Sequence, residues 1–195
     1  MNIQHRSNII LSGPSGCGKT TLVRNLIKQI APPVEHVIYC YNIPLEWFKE
    51  ESYQYHEGII KDWDVTKKTA IVLDDLMNCI DANVSDLFLH KSHHMNATVF
   101  ILTQNLFCQN PHYRNISLNS HYFFLFNSRR DINQIACLNK QMYPHKPKYL
   151  LDAFLKATQD KYKYLCIDLK PNTPEDLRVR SDVLPGERNL VYLPK

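Results

Sequence analysis

Apolar residues fall in short unbroken runs along this chain, separated by polar and amphipathic stretches. Residues 8–12, 36–41, 70–75, 98–103, 121–126 and 164–168 are too short for helices. They are also too continuously apolar for half-exposed strands, so they predict strands buried on both faces. Between them the period changes. Leu22, Leu26 and Ile30 recur four apart with Val23 and Ile27 beside them, which predicts a helix over 21–30 ended by Pro32-Pro33. Residues 84–94, with Leu87 and Phe88 turned inward, and residues 132–142 and 150–158 predict further helices. Residues 43–69 are mixed and polar, with a short helix near 45–51 and Trp47, Phe48 and Trp63 as apolar anchors. A polar, proline-containing tail follows residue 168. Buried strands alternating with amphipathic helices predict an α/β fold, a mostly parallel sheet with helices on both faces. Nothing in the chain reads as a linker, so residues 1–195 form one expected domain.

The first strand runs into Gly13-Pro14-Ser15-Gly16-Cys17-Gly18-Lys19-Thr20, a complete G-x-x-x-x-G-K-[ST] loop, and the first helix follows it. Strand, glycine loop and helix are the context in which this pattern binds phosphate. Its glycines let successive backbone N–H groups curl around a triphosphate, and Thr21 continues that wall. Lys19 is expected at the β- and γ-phosphates, and the Thr20 hydroxyl on Mg²⁺. The reading is of a P-loop protein that binds a nucleoside triphosphate.

Asp74 closes the apolar run at 70–75, the position of a second Mg²⁺ ligand opposite Thr20. Asp75 follows it, where a general base for an attacking water would stand. Glutamate is the more usual base, and the shorter aspartate must stand closer or act through another water. Gln104 ends the next apolar strand, where an amide can donate to the γ-phosphate and accept from the water; Asn105 is a second choice. Arg114, Arg129 and Arg130 are candidates for an arginine finger that stabilises charge on the transferred phosphate. Arg129-Arg130 lies between a strand and a helix, a suitable place for a side chain facing a neighbouring subunit. His90, His93 and His94 share helical spacing, yet no acid or cysteine completes a zinc set, and the six cysteines contain no C-x-x-C pair.

Composition adds a charge asymmetry. The net charge is +4, but residues 1–100 carry 9 Lys/Arg against 11 Asp/Glu, and residues 101–195 carry 14 against 8. Six lysines between Lys140 and Lys163 interleave with Tyr143, Tyr149 and Tyr162, a composition able to track a nucleic-acid backbone or simply to form a solvated face. No apolar run approaches a membrane span and no signal peptide opens the chain, so neither membrane insertion nor secretion is expected.

The phosphate loop, Ile38-Tyr39-Cys40-Tyr41, Ile71-Val72-Leu73-Asp74-Asp75-Leu76-Met77, Ser92-His93-His94, Thr103-Gln104-Asn105-Leu106-Phe107 and Asn119-Ser120-His121-Tyr122 come in that order. Arg130-Asp131, Gln141-Met142-Tyr143-Pro144 and Tyr164-Leu165-Cys166-Ile167-Asp168-Leu169 follow. This series resembles the genome-packaging ATPases of Polinton elements, adintoviruses and related large DNA viruses, poxviruses included, in the FtsK–HerA division. The resemblance implies a RecA-like (ASCE) core in which the strand ending in Gln104 lies between the phosphate-loop strand and the strand ending in Asp74. It further implies a homo-oligomeric ring, a hexamer, that translocates double-stranded DNA into a viral capsid. Capsid or portal-vertex proteins would be its partners, and the host nucleus or a virus assembly site its intracellular location. Two other readings of the residues stay open: a P-loop nucleoside or nucleotide kinase, and a nucleotide-gated assembly protein.

Overall fold

In chain order the strands are β1 (Ile3–Gln4), β2 (Asn8–Ser12), β3 (Ile30–Ala31), β4 (His36–Tyr41), β5 (Gln54–Glu57), β6 (Thr69–Asp74), β7 (Ala97–Thr103), β8 (Tyr122–Phe126), β9 (Tyr164–Asp168), β10 (Val179–Ser181) and β11 (Leu190–Val191). The helices are α1 (Lys19–Ile27), α2 (Ala82–Asp86), α3 (Pro111–Leu118), α4 (Ile132–Met142) and α5 (Tyr149–Ala157). The computed structural model describes residues 1–44, 46–49, 51–76, 79–86, 88, 96–107, 110–128 and 130–194. Among these, nine strands form one sheet in the order β11-β10-β9-β8-β2-β7-β6-β4-β5. Strands β8, β2, β7, β6, β4 and β5 are mutually parallel, while β9, β10 and β11 run antiparallel in succession at one edge. This is a P-loop NTPase-like α/β domain with a mostly parallel sheet.

Strand β2 sits at the centre, and its alternation decides the layering. Ile9 and Leu11 point to the layer formed by Leu22, Val23, Leu26 and Ile27 of α1, while Ile10 points to the opposite layer with Tyr113, Ile116, Leu138, Leu150 and Phe154. Strand β7 repeats the division, with Phe100 and Leu102 on the α1 side and Val99 and Ile101 on the other. Each such side chain, fully buried, contributes about 1.5–3 kcal/mol of transfer free energy, so a one-residue slip of β2 would reverse three of them at once. Helix α1 shares its face with an aromatic cluster. Phe48 stacks on Tyr55 at 4.2 Å, Tyr39 meets Trp47 edge-on at 5.1 Å, and the Arg24 guanidinium lies 4.7 Å over Trp47.

Several elements differ from their sequence expectations. Helix α1 stops at Ile27 because the N-terminal segment captures the next residues: Ile3 N–H donates to Gln29 O at 2.9 Å, His5 N–H to Ala31 O at 3.0 Å, and Ile30 pairs with Ile3 across β1 and β3. The expected helix at 45–51 is a 3-10 turn, Glu46–Lys49. Of the helix expected over 84–94, α2 forms the beginning; Leu87 lies outside the described residues, and Phe88 is buried as expected. The tail is not merely polar connection. It returns as β10 and β11, with Val179 and Val183 buried.

Candidate active site: the phosphate loop and its neighbours

The loop begins where β2 ends, and Gly13 N–H donates to Thr103 O of β7 at 3.1 Å. Gly13 must be a glycine for space. A Cβ there would lie 2.6 Å from Phe126 Cβ and 2.8 Å from Cys17 Sγ. Gly16 and Gly18 have left-handed φ of 74° and 103°, which L side chains rarely adopt. Gly18 is the N-cap of α1 and supplies no side-chain bond, and the first turn holds no acid. The N–H groups of that turn and the positive end of the helix dipole are therefore available to an anion. Lys19 Nζ folds back on the loop, donating to Gly13 O at 2.6 Å and Pro14 O at 3.0 Å.

Asp74 ends β6, two strands from β2, and accepts a 2.5 Å hydrogen bond from the Tyr39 hydroxyl of β4. Burial pushes the Asp74 carboxyl above its ordinary range; the Tyr39 bond and the charge of Lys19 pull it partly back. Burial, then the neighbouring Asp74, pushes the Tyr39 hydroxyl far up, so it stays a donor. The Thr20 side chain acts on the same hydroxyl in the opposite sense, favouring its ionised form. Thr20, Tyr39 and Asp74 thus gather at the head of α1. Two of them are hard oxygen donors, the kind a magnesium ion takes, and a carboxylate strained by burial is relieved by a cation.

Asp75 leaves the strand through a left-handed turn with φ 54°, and its N–H donates to Leu102 O at 3.3 Å. Gln104 reaches it from β7: Nε2 lies 3.3 Å from Oδ1 and 3.4 Å from Oδ2, both residues being exposed. The Thr103 hydroxyl, bonded to both the backbone carbonyl and the N–H of Asn105, closes the turn that aims Gln104 this way. The strand carrying Gln104 is inserted between β2 and β6, as the family-like motifs imply.

The structure therefore brings Lys19, Thr20, Asp74, Asp75 and Gln104 to one edge of the sheet. Arg130 follows β8 on the same edge, exposed and without an ion pair or hydrogen bond among the described residues. It is not joined to Asp75 or Gln104. Arg114 is exposed on α3. Arg129 and the histidines at 90, 93 and 94 lie outside the described residues. The basic stretch 140–163 is not one track: Tyr143 meets Tyr149 edge-on at 4.7 Å, and Lys163 is paired with Asp182 and Glu187.

Two contributors escape sequence reasoning. Tyr39 reads as one more strand residue, although most tyrosines in buried runs have a partner for the hydroxyl. Residues 161–163 read only as the end of a basic, aromatic stretch, yet together with Tyr164 they wall a cleft of about 600 Å³ with Gly16, Gly18, Lys19, Thr20 and Thr21.

No curated protein matches the sequence. Among solved structures, the genome packaging NTPase B204 from Sulfolobus turreted icosahedral virus 2, in complex with sulfate, is similar with a TM-score of 0.60 at 15% identity over 97% of each chain. The same NTPase in complex with ATP-gammaS gives 0.60 at 13% identity over 97% of this chain and 98% of that one. The flagellar accessory protein FlaH from Methanocaldococcus jannaschii gives 0.52 at 13% identity, covering 98% of this chain and 91% of its own. At these identities the likeness is one of fold. The RNA helicase family matches residues 9–126, from the second residue of β2 to the last of β8. With well over half of its length inside that match, the chain belongs to the RNA helicase family.

Proposed function

We propose that this chain is an ATP-hydrolysing motor of the FtsK–HerA type that moves double-stranded DNA into a viral capsid as a ring. The observation that carries it is the contact of Gln104 with Asp75, made possible by the insertion of β7 between the phosphate-loop strand and the Asp74 strand. An amide that can orient a water and a carboxylate that can take its proton, converging beside the phosphate end, suit hydrolysis by a water nucleophile.

In this reading the N–H groups of residues 16–20 hold the phosphates, and Lys19 leaves Gly13 O and Pro14 O for the β- and γ-oxygens. Thr20 and Asp74 would hold Mg²⁺, which when bound neutralises charge on the β- and γ-phosphate oxygens. Tyr39 keeps Asp74 oriented and its carboxylate hydrogen-bonded. Gln104 orients a water, and Asp75 takes its proton as the new P–O bond forms and ADP departs with the electrons of the bond that breaks. Arg130, or Arg129, would complete the site of a neighbouring subunit and stabilise the charge on the transferred group.

The direction of the work, on duplex DNA, is supported by the motif series and by the likeness to B204, which extends over 97% of both chains. That span takes in the antiparallel edge β9–β11, beyond the residues 9–126 of the family match. The family match itself favours a second reading, a helicase acting on RNA. Phosphate release measured with duplex DNA, with single-stranded RNA, and with neither separates them. The packaging reading expects stimulation by duplex DNA of any sequence, declining steeply with salt as counterion release is lost. Stimulation by RNA alone, with strand separation, would overturn it in favour of the helicase. Turnover per subunit should also rise with protein concentration if a neighbour's arginine completes the site.

A further inference from the structure

The active-site groups all lie on one side of the phosphate loop. Asp74, Asp75 and Gln104 come from β6 and β7, whereas on the other side of β2 stand β8 and then β9. A triphosphate whose γ end faces Gln104 must carry its nucleoside the other way, past the first turn of α1 toward the loop that enters β9. That loop presents Tyr162. Its ring approaches the loop at Gly18, where even a Cβ would come within 3.4 Å of Tyr162 Cδ1. Tyr162 is 68% exposed, unusual for a tyrosine with a neighbour so close, and its φ of 64° is left-handed.

The next residue holds this conformation in place. Lys163 Nζ pairs with Asp182 and lies 3.5 Å from Glu187, and Glu187 also accepts from the Tyr164 hydroxyl at 3.3 Å and from Leu184 N–H at 2.9 Å. The C-terminal segment is thereby tied to the base of the Tyr162 turn. Opposite the ring, Thr21 and Asn25 stand one turn apart on the exposed side of α1, and Leu184 floors the space between. The Asn25 amide has no partner among the described residues. The cleft, about 600 Å³, suits a nucleoside.

We infer that Tyr162 is the platform on which the nucleobase of the bound nucleotide stacks, with Asn25 at the base edge, and that the site takes purine in preference to pyrimidine nucleotides. This rests on the nucleotide-hydrolase reading above. Stacking is independent of base sequence but scales with ring area, so a purine gains more from the ring than a pyrimidine. Among the described residues lining the cleft, Tyr162 is the exposed aromatic; Lys163 is paired with two acids, and Lys161 beside it is exposed, so the wall offers one aromatic face next to a cation.

The test compares ATP, CTP and inorganic tripolyphosphate as ligands of wild-type protein, Tyr162→Ala and Tyr162→Phe. Wild-type protein should bind ATP more tightly than CTP or tripolyphosphate. Tyr162→Ala should weaken ATP on the order of tenfold, with turnover at saturation retained and tripolyphosphate binding unchanged. Tyr162→Phe should keep the wild-type affinity. Because the side chain is mostly exposed, neither variant threatens the fold, which a thermal melt verifies. Equal affinity of wild-type protein for ATP and tripolyphosphate, or an equal loss of both in Tyr162→Ala, would overturn the platform while leaving the phosphate loop intact. Binding of neither ligand by wild-type protein would overturn both readings.

Discussion

Replacing Gly13 by alanine isolates the packing that shapes the phosphate loop from the chemistry it performs. The new methyl carbon would stand 2.6 Å from Phe126 Cβ, 2.8 Å from Cys17 Sγ and 3.4 Å from Phe126 Cγ. Carbon pairs are most favourable at about 3.5–4.0 Å, so the first overlap is near 1 Å. Phe126 cannot step aside cheaply. Its Cβ is fixed by a backbone paired with Tyr164 of β9, and the preceding Leu125 is paired with Ser12 of β2. Cys17 is on the loop itself and can yield. The loop must therefore lift off β8, at a cost of about 1–3 kcal/mol. In a domain of this size each kcal/mol moves the melting temperature by about 2–4 °C, so Gly13→Ala should melt roughly 2–12 °C below wild type. Adding Cys17→Ala should return part of that loss, because one of the two clashes is gone; the coupling expected for touching residues is at least about 0.5 kcal/mol. Differential scanning fluorimetry of the two single variants and the double variant reads all of this without nucleotide. A Gly13→Ala protein that melts with wild type, or a double variant that is strictly additive, refutes the account of the β2–β8 packing.

Two further expectations concern the carboxylates. Because burial raises the Asp74 carboxyl, its ionised form is worse tolerated folded than unfolded: its contribution is full below the ordinary carboxylate range and is lost as pH rises through the raised value. Asp74→Asn, which still accepts from Tyr39, should therefore melt above wild type at neutral pH, lose that advantage in acid, and hydrolyse no ATP; a lower melt at pH 7 would contradict the burial argument. Asp75→Asn should retain nucleotide binding and lose about 10²–10⁴-fold in turnover, with Gln104→Ala following in the same direction. Near-normal turnover of Asp75→Asn would move the base elsewhere.

What the chain discloses about itself follows burial and sequence distance. Strands β6, β7, β8 and β9 are legible because each is covered on both faces and reads as an unbroken apolar run. Strand β5, Gln-Tyr-His-Glu, is not: it lies at the sheet edge with its first and last residues exposed, so no period marks it. Helix α3 carries a signal that periodicity misses, for Asn110 caps it through His112 N–H at 2.8 Å and Pro111 opens its first turn. The phosphate loop is contained in eight consecutive residues and can be read outright. Gln104 and Asp75 are 29 residues apart and Tyr39 and Asp74 are 35 apart, so their meetings depend on strand order, which only the family-like motif series implied. Tyr162 is legible only as one tyrosine of a basic stretch, since its place beside Gly18 depends on the turn that enters the antiparallel strand β9.

Lys19 gives the loop a threshold. Its ammonium already has two carbonyl oxygens, of Gly13 and Pro14, so a ligand must replace that solvation before it gains the charge. A monoanion offers one weak acceptor in exchange for two good ones and gains little. A polyphosphate offers several oxygens and a full compensating charge, and it alone makes the exchange favourable. The loop should therefore discriminate among anions by charge number, with chloride or bicarbonate expected to compete poorly against a polyphosphate.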